Sequence, residues 1–162
     1  MSFQLDLQAF ANKTNAIANA VVRKIVIDVG TALVMKSPVG DPEFWLYNRG
    51  TSENPDYVHY SAYKDTPDGY VGGRFRANWQ YGLNAAKTDT TEDVDPQGRA
   101  TIAAIVGKVD KEAAGEVHYI TNSLPYADRL ENGWSRQAPN GMVGLTVLEF
   151  EPIVEAAARA LR

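Results

Sequence analysis

The chain has 162 residues, 44% of them hydrophobic and 22% charged, which suits one soluble domain with a core of its own. It has no cysteine, so a disulfide framework and a thiolate zinc site are excluded, and no apolar run approaches the roughly 20 residues that cross a bilayer. A net charge of −4 without a basic block argues against tight non-specific binding to nucleic acid, and the amino-terminal residues lack the basic-then-apolar pattern of a signal peptide.

Residues 5 to about 36 predict one long helix. Phe10, Ile17, Val21, Ile25, Val29 and Leu33 recur at spacings of four and seven, with Ala16 and Ala20 beside them. Val22 and Val26 widen the stripe, so burial on more than one side is expected, while Arg23, Lys24 and Asp28 fall at its wetter side. Gly30 weakens the helix by about 1 kcal/mol relative to alanine. Ser37-Pro38 ends it, because the residue before a proline avoids helical backbone.

Residues 37 to about 72 are rich in proline, glycine, aspartate and asparagine, yet hold Phe44, Trp45, Tyr47, Tyr57, Tyr60, Tyr63 and Tyr70. Plain linkers carry few aromatics. Two readings stand side by side: an arm that orders against a neighbour, or a surface loop that folds back on its own domain.

A strand is predicted from Gly72-Gly73 onward. Phe75, Ala77, Trp79, Tyr81 and Leu83 alternate with Arg74, Arg76, Asn78 and Gln80, which puts apolar groups on one face and polar groups on the other. A polar turn covers Asn84 to Asp95. Asp95-Pro96 then predicts a helix over about 96–110, with Ala100, Ile102, Ala103, Ile105, Val106 and Val109 on its apolar face. A second strand over Glu116–Thr121 is expected to pair with the first.

The stretch from Tyr119 to Met142 organises the rest. Asn122-Ser123 offers a cap, Pro125 suits a first helical turn, and Tyr126 and Leu130 share a face. Gly133 suits a left-handed stop. So short a helix must dock to persist, and Tyr126, Leu130 and Trp134 are its expected anchors. Beyond it, Val143, Val147, Phe150, Val154, Ala157 and Leu161 form a helical seam whose larger members are expected to be buried. Pro152 predicts either a kink or a new helix near Glu151. The fold class expected is α+β: a small antiparallel sheet packed against a long amino-terminal, a middle and a carboxy-terminal helix, in one domain spanning 1–162 with an inserted loop or arm at about 37–72.

The residues give little support for catalysis. His59 and His118 are the only histidines, and no Gly-x-Ser-x-Gly elbow accompanies them. Asp93, Asp95, Gln97 and Gly98 echo a calcium loop, but the twelfth position is Ala104 and Pro96 interrupts it, so a capped helix start explains the same residues. Gly69, Gly72 and Gly73 lead into a predicted strand without a Gly-Lys-Ser/Thr, which is no phosphate loop. No catalytic residue, cofactor or metal is assigned. The residues assigned to subunit or partner contacts are Trp45, Tyr57, Tyr60 and Tyr63 of the arm, Arg74 and Arg76 of the polar strand face, and Glu131, Trp134 and Arg136 of the corner.

Three segments together are similar to a known family: Ser37-Pro38-Val39-Gly40-Asp41-Pro42, then Gly69-Tyr70-Val71-Gly72-Gly73-Arg74-Phe75-Arg76-Ala77-Asn78-Trp79, then Leu124 to Val143 with its Tyr126-Ala127-Asp128-Arg129-Leu130-Glu131-Asn132-Gly133-Trp134 core. This set resembles the tail-completion, minor tail protein Z-like family of long-tailed bacteriophages, itself similar to the wider group of neck proteins that join head to tail. The likeness covers most of the chain, and residues 46 to 68 make a longer connection than the family pattern has.

The resemblance implies a structural virion protein, not an enzyme, assembled in the host cytoplasm and placed in the neck of the particle. It implies a ring of this chain with itself, six copies at the family level, at the head-proximal end of the tail. Its neighbours would be a tail terminator or tail tube protein and a head-completion or connector protein. DNA would pass through the channel without specific binding, and no membrane is involved. The alternatives are a small hydrolase built on His118 and a monomeric adaptor or binding module.

Overall fold

The computed structural model describes residues 3–40, 70–109 and 113–161, with side chains from Phe10 onward. Trp45, Tyr57, Tyr60, Tyr63 and His59 lie outside the described residues, as does most of the aromatic segment.

The fold is α+β. Helix α1 runs Phe3–Lys36, without a proline to interrupt it. It ends where Ser37 turns back: the Ser37 hydroxyl donates to the Leu33 carbonyl at 2.7 Å and its amide to Val34 at 3.3 Å. Helix α2 is a single turn, Arg74–Ala77, and strand β1 follows over Gln80–Leu83. Helix α3 spans Arg99–Lys108, strand β2 spans His118–Thr121, and helix α4 spans Ala127–Glu131. Two helices close the chain, α5 over Val143–Leu148 and α6 over Phe150–Ala160. The two strands pair antiparallel, with Gln80 opposite Thr121 and Leu83 opposite His118.

Helix α3 lies antiparallel along α1. Gly98 sits against Val34 and Gly30 against Ile105. The Arg23 guanidinium donates to the carbonyls of Val106 and Val109 at 3.2 and 3.3 Å, which ties a cation to the negative end of α3. Gly30 also serves the packing, since a Cβ there would stand 3.2 Å from the Ile105 side chain, tighter than an ordinary contact. Helix α6 packs along α1 as well, with Ala157 fully buried in the contact region. The core joins Val26, Leu33 and Val34 of α1 to Phe75, Trp79, Tyr81, Ile105, Val109, Leu124 and Met142.

Three expectations are corrected. The segment 74–83 is not one strand: its first half is α2. Phe75 and Trp79 are four apart, a spacing that suits either a strand face or a helix face, so alternation alone cannot separate the two. Gly73, at φ 106°, supplies the left-handed turn, and the Ala77 amide then closes on its carbonyl at 3.0 Å.

The carboxy-terminal seam is also not buried as a unit. Val143, Val147 and Phe150 are exposed, and the helix is interrupted at Glu149, so two helices stand where the spacing suggests one seam. Pro152 falls in the first turn of α6, the second of the two expected outcomes.

Trp134, the third, is 62% exposed rather than an anchor. Gly133 stops α4 at φ 81°, as expected, and the chain turns the indole outward; Met142 fills the inner position. Tyr126 and Leu130 do pack against the core.

Candidate interaction surface

The three sequence segments that carry the resemblance meet at one point. The Gly73 amide donates to the Val39 carbonyl at 2.5 Å, and a Cβ on Gly72 would lie 2.3 Å from that same oxygen. The Trp79 indole donates to the Ser37 hydroxyl at 2.7 Å. The Val39 amide donates to Gln137 at 2.9 Å, which ties the first segment to the third. Asn122, just before the third, donates to the Phe75 carbonyl at 2.8 Å. Phe75 packs edge-on to Trp79 and tilted to Tyr126, each with ring centroids 6.0 Å apart. Burial raises the Tyr126 hydroxyl, against a lowering effect of the Arg74 charge.

Arg76 is the clasp of this hub. Its guanidinium donates to the carbonyls of Pro96, Ser37 and Met35 at 2.6, 2.9 and 3.2 Å. These are the loose ends of α1 and of the turn before α3, so one planar fork holds both. Burial lowers the Arg76 pKa, with the Asp95 charge opposing. The expected place of Arg76 on a polar strand face is thus corrected, because α2 turns it inward. Arg74 pairs with Glu92 of its own chain and reaches the Thr91 carbonyl.

Glu131 faces the body of the protein too. Its carboxylate accepts from the amides of Met142, Val143 and Gly144 at 2.8, 2.9 and 2.8 Å, which are the free donors at the start of α5. Burial pushes this carboxyl up, but the three amide bonds outweigh it and hold the group below the ordinary glutamate value. Gly141, at φ 72°, lets the chain pass close, since a Cβ there would stand 2.3 Å from the Glu131 carbonyl. No sequence spacing pointed to this cap, as the acid lies eleven to thirteen residues before the amides it serves.

Asp95 acts similarly at α3. One carboxylate oxygen accepts from both the amide and the hydroxyl of Thr101, at 2.8 and 2.9 Å. Burial raises it, and hydrogen bonds from Thr101, Gly98 and Ala100 more than compensate, leaving it below the ordinary aspartate value. The helix-start reading of the acidic run therefore has a geometry, one turn later than expected: α3 begins at Arg99. The Asn122-Ser123 cap does not form on α4. Asn122 instead accepts from Leu124, and Ser123 donates to the Lys87 carbonyl.

Both nitrogens of His118 are engaged. Nδ1 meets the Tyr81 hydroxyl at 2.9 Å and Nε2 meets the Ala113 carbonyl at 2.9 Å, with the Tyr81 ring stacked beside the imidazole. Among the described residues, no carboxylate pairs with His118 in the way a hydrolase uses one.

Several large apolar and aromatic side chains remain on the surface. Arg129 lies over the Trp134 ring at 5.9 Å, and Arg136, two residues further along the chain, is exposed. Phe10 and Ile17 on α1, and Val143, Val147, Leu148 and Phe150 on α5 and α6, are all open to solvent. An open cleft of about 450 Å³ between the 86–88 loop and α4 is lined by Trp79, Thr121, Asp128, Glu131 and Val143.

Comparison with protein-family models, with characterised proteins and with solved structures yields no match for the chain.

Proposed function

We propose that this chain is a structural subunit of a long-tailed phage particle. It forms a ring at the head-proximal end of the tail, completes the tail, joins it to the head and leaves a channel for DNA. The observation that carries this reading is the hub: the three segments that resemble tail-completion proteins, far apart in sequence, are bonded to one another through Val39, Gly73, Trp79, Arg76 and Gln137. A shared set of segments that builds one rigid knot is what a repeated building block requires.

A closed ring of identical subunits needs two different complementary patches on each copy. The uncovered apolar surfaces of α1 and of α5–α6 lie on separate elements and supply two. Its partners are further copies, six to a ring, with a tail terminator or tail tube protein on one side and a head-completion or connector protein on the other. A net charge of −4 suits a conduit through which DNA passes without sticking.

Electron microscopy of the neck in intact particles tests this. The expected result is a ring of this chain between tail tube and connector, with acidic side chains facing the bore. Absence of the chain from the neck would overturn the proposal, as would normal joining of heads to tails when it is deleted. A bore lined by lysine and arginine would remove the conduit explanation of its charge.

A further inference from the structure

We infer that the amino-terminal half of α1 is a donated helix, which lies along the uncovered apolar face at the α5–α6 junction of the next copy of this chain. This rests on the ring reading above and names the contact that closes the ring.

The stripe on α1 is continuous, but its cover is not. From Val22 to Val34 it is packed by α3 and α6. At Asn19 that half is still tied to the body, its side-chain oxygen accepting from the Ala114 amide at 2.7 Å. Before it, residues 10–18 are all exposed, with Phe10 at 68% and Ile17 at 43%. Residues 3–18 extend about 24 Å at the helical rise. A helix of that length is marginal alone in water, so it needs a surface to lie on.

The matching surface is on α5 and α6. Val147 and Leu148 are 66% and 79% exposed, with Val143 and Phe150 beside them in sequence and also open. The chain cannot fold its own α1 onto this face. Lys36 bonds Glu149 at 2.6 Å, which fixes the α5–α6 junction at the carboxy-terminal end of α1. The free half begins about 25 Å away along the same unbroken helix. A second copy is therefore the occupant that can bring the two faces together.

The contact is head-to-tail, because the faces differ, and head-to-tail contacts are the kind that close into rings. Charge agrees. Lys13 is the only ionisable side chain from Phe10 to Val22, whereas the junction carries Glu151 beside Glu149 and Glu155, which Lys36 and Arg159 already neutralise. Two junction faces set against each other would oppose Glu151 to Glu151, whereas α1 on the junction would set the positive Lys13 against an acidic face.

The absence of cysteine makes a clean test. Ile17→Cys and Leu148→Cys are introduced singly and together, oxidised in purified protein and in assembled particles, and run without reductant. The expected result is a dimer from the mixed single variants, none from either alone, and a ladder from the double variant. Cross-linking of Ile17→Cys with itself would show α1 pairing with α1 and overturn the inference. So would a ring in the particle without the mixed cross-link, and that outcome leaves the ring reading standing. Particles whose neck lacks the chain would instead sink the ring reading.

Because Phe10 and Ile17 are exposed, Phe10→Ser and Ile17→Asn are expected to melt as wild type while weakening assembly by about tenfold or more each. Lys13→Glu is expected to weaken assembly and Glu151→Lys to restore it in that background. Unchanged assembly in the Phe10 and Ile17 variants would also overturn the inference.

Discussion

Replacing Glu131 by alanine should unfasten α5 from α4. The carboxylate accepts three amide hydrogen bonds of 2.8–2.9 Å at the start of a helix only six residues long. Val143 and Gly144 are exposed, so water can take over two of those amides; Met142 is buried and its amide is left without a partner. A lost cap costs about 1 kcal/mol, and an unsatisfied buried donor adds about 1–3, so about 2–4 kcal/mol is expected in total. For a chain of this size that lowers the midpoint by roughly 5–15 °C in a thermal melt.

The pH dependence has a definite sign. The folded carboxyl lies below its unfolded value, so its contribution is complete above the unfolded glutamate range and fades as pH falls through the folded value. Glu131→Gln keeps the shape and cannot ionise. The gap in stability between wild type and Glu131→Gln, read by urea titration, should be largest near neutral pH and shrink in acid. A gap that is the same at both ends, or a Glu131→Ala protein that melts with wild type, would refute the assignment of this carboxylate as the ionised cap.

Four other outcomes follow from the same contacts. Trp79→Ala should cost about 3–5 kcal/mol by urea titration, since the indole is buried against Phe75 and bonded to Ser37. Asp95→Ala should cost about 1–2 kcal/mol at neutral pH, with the difference from wild type lost as acid protonates the native carboxylate below its ordinary range. Gly141→Ala should cost at least about 1–3 kcal/mol in a thermal melt, because it combines positive φ with a Cβ placed 2.3 Å from the Glu131 carbonyl. Trp134→Ala should stay within about 0.5 kcal/mol of wild type in the same measurement, because its ring is exposed.

The elements that were legible in the sequence are those whose signal is local. The long helix from Phe3 to Lys36 is legible because its stripe repeats many times and Ser37-Pro38 punctuates it. The Gly133 stop and the last helix, with Pro152 in its first turn, are legible because glycine and proline restrict the backbone wherever they stand. Residues 74–83 misled because Phe75 and Trp79 fit both periods, and only Gly73 with its φ of 106° decides for a turn of helix. The carboxy-terminal seam misled because a spacing pattern says that side chains share a face, not that anything covers that face.

The candidate surface divides in the same way. Arg76, Glu131 and Trp134 were singled out by their position in unusual segments. Whether each points inward or outward depends on groups far along the chain: carbonyls at 35, 37 and 96 for Arg76, and amides at 142–144 for Glu131. By itself the sequence determined periodicity, punctuation and helix-start chemistry, since these act between residues a few positions apart. Tertiary structure alone decided that the three separated segments form one hub, that a guanidinium and a carboxylate are held by distant backbone groups, and that residues 10–18 of the longest helix are exposed. Those outcomes depend on which surfaces meet in space, and burial is a property of such meetings rather than of any one stretch of chain.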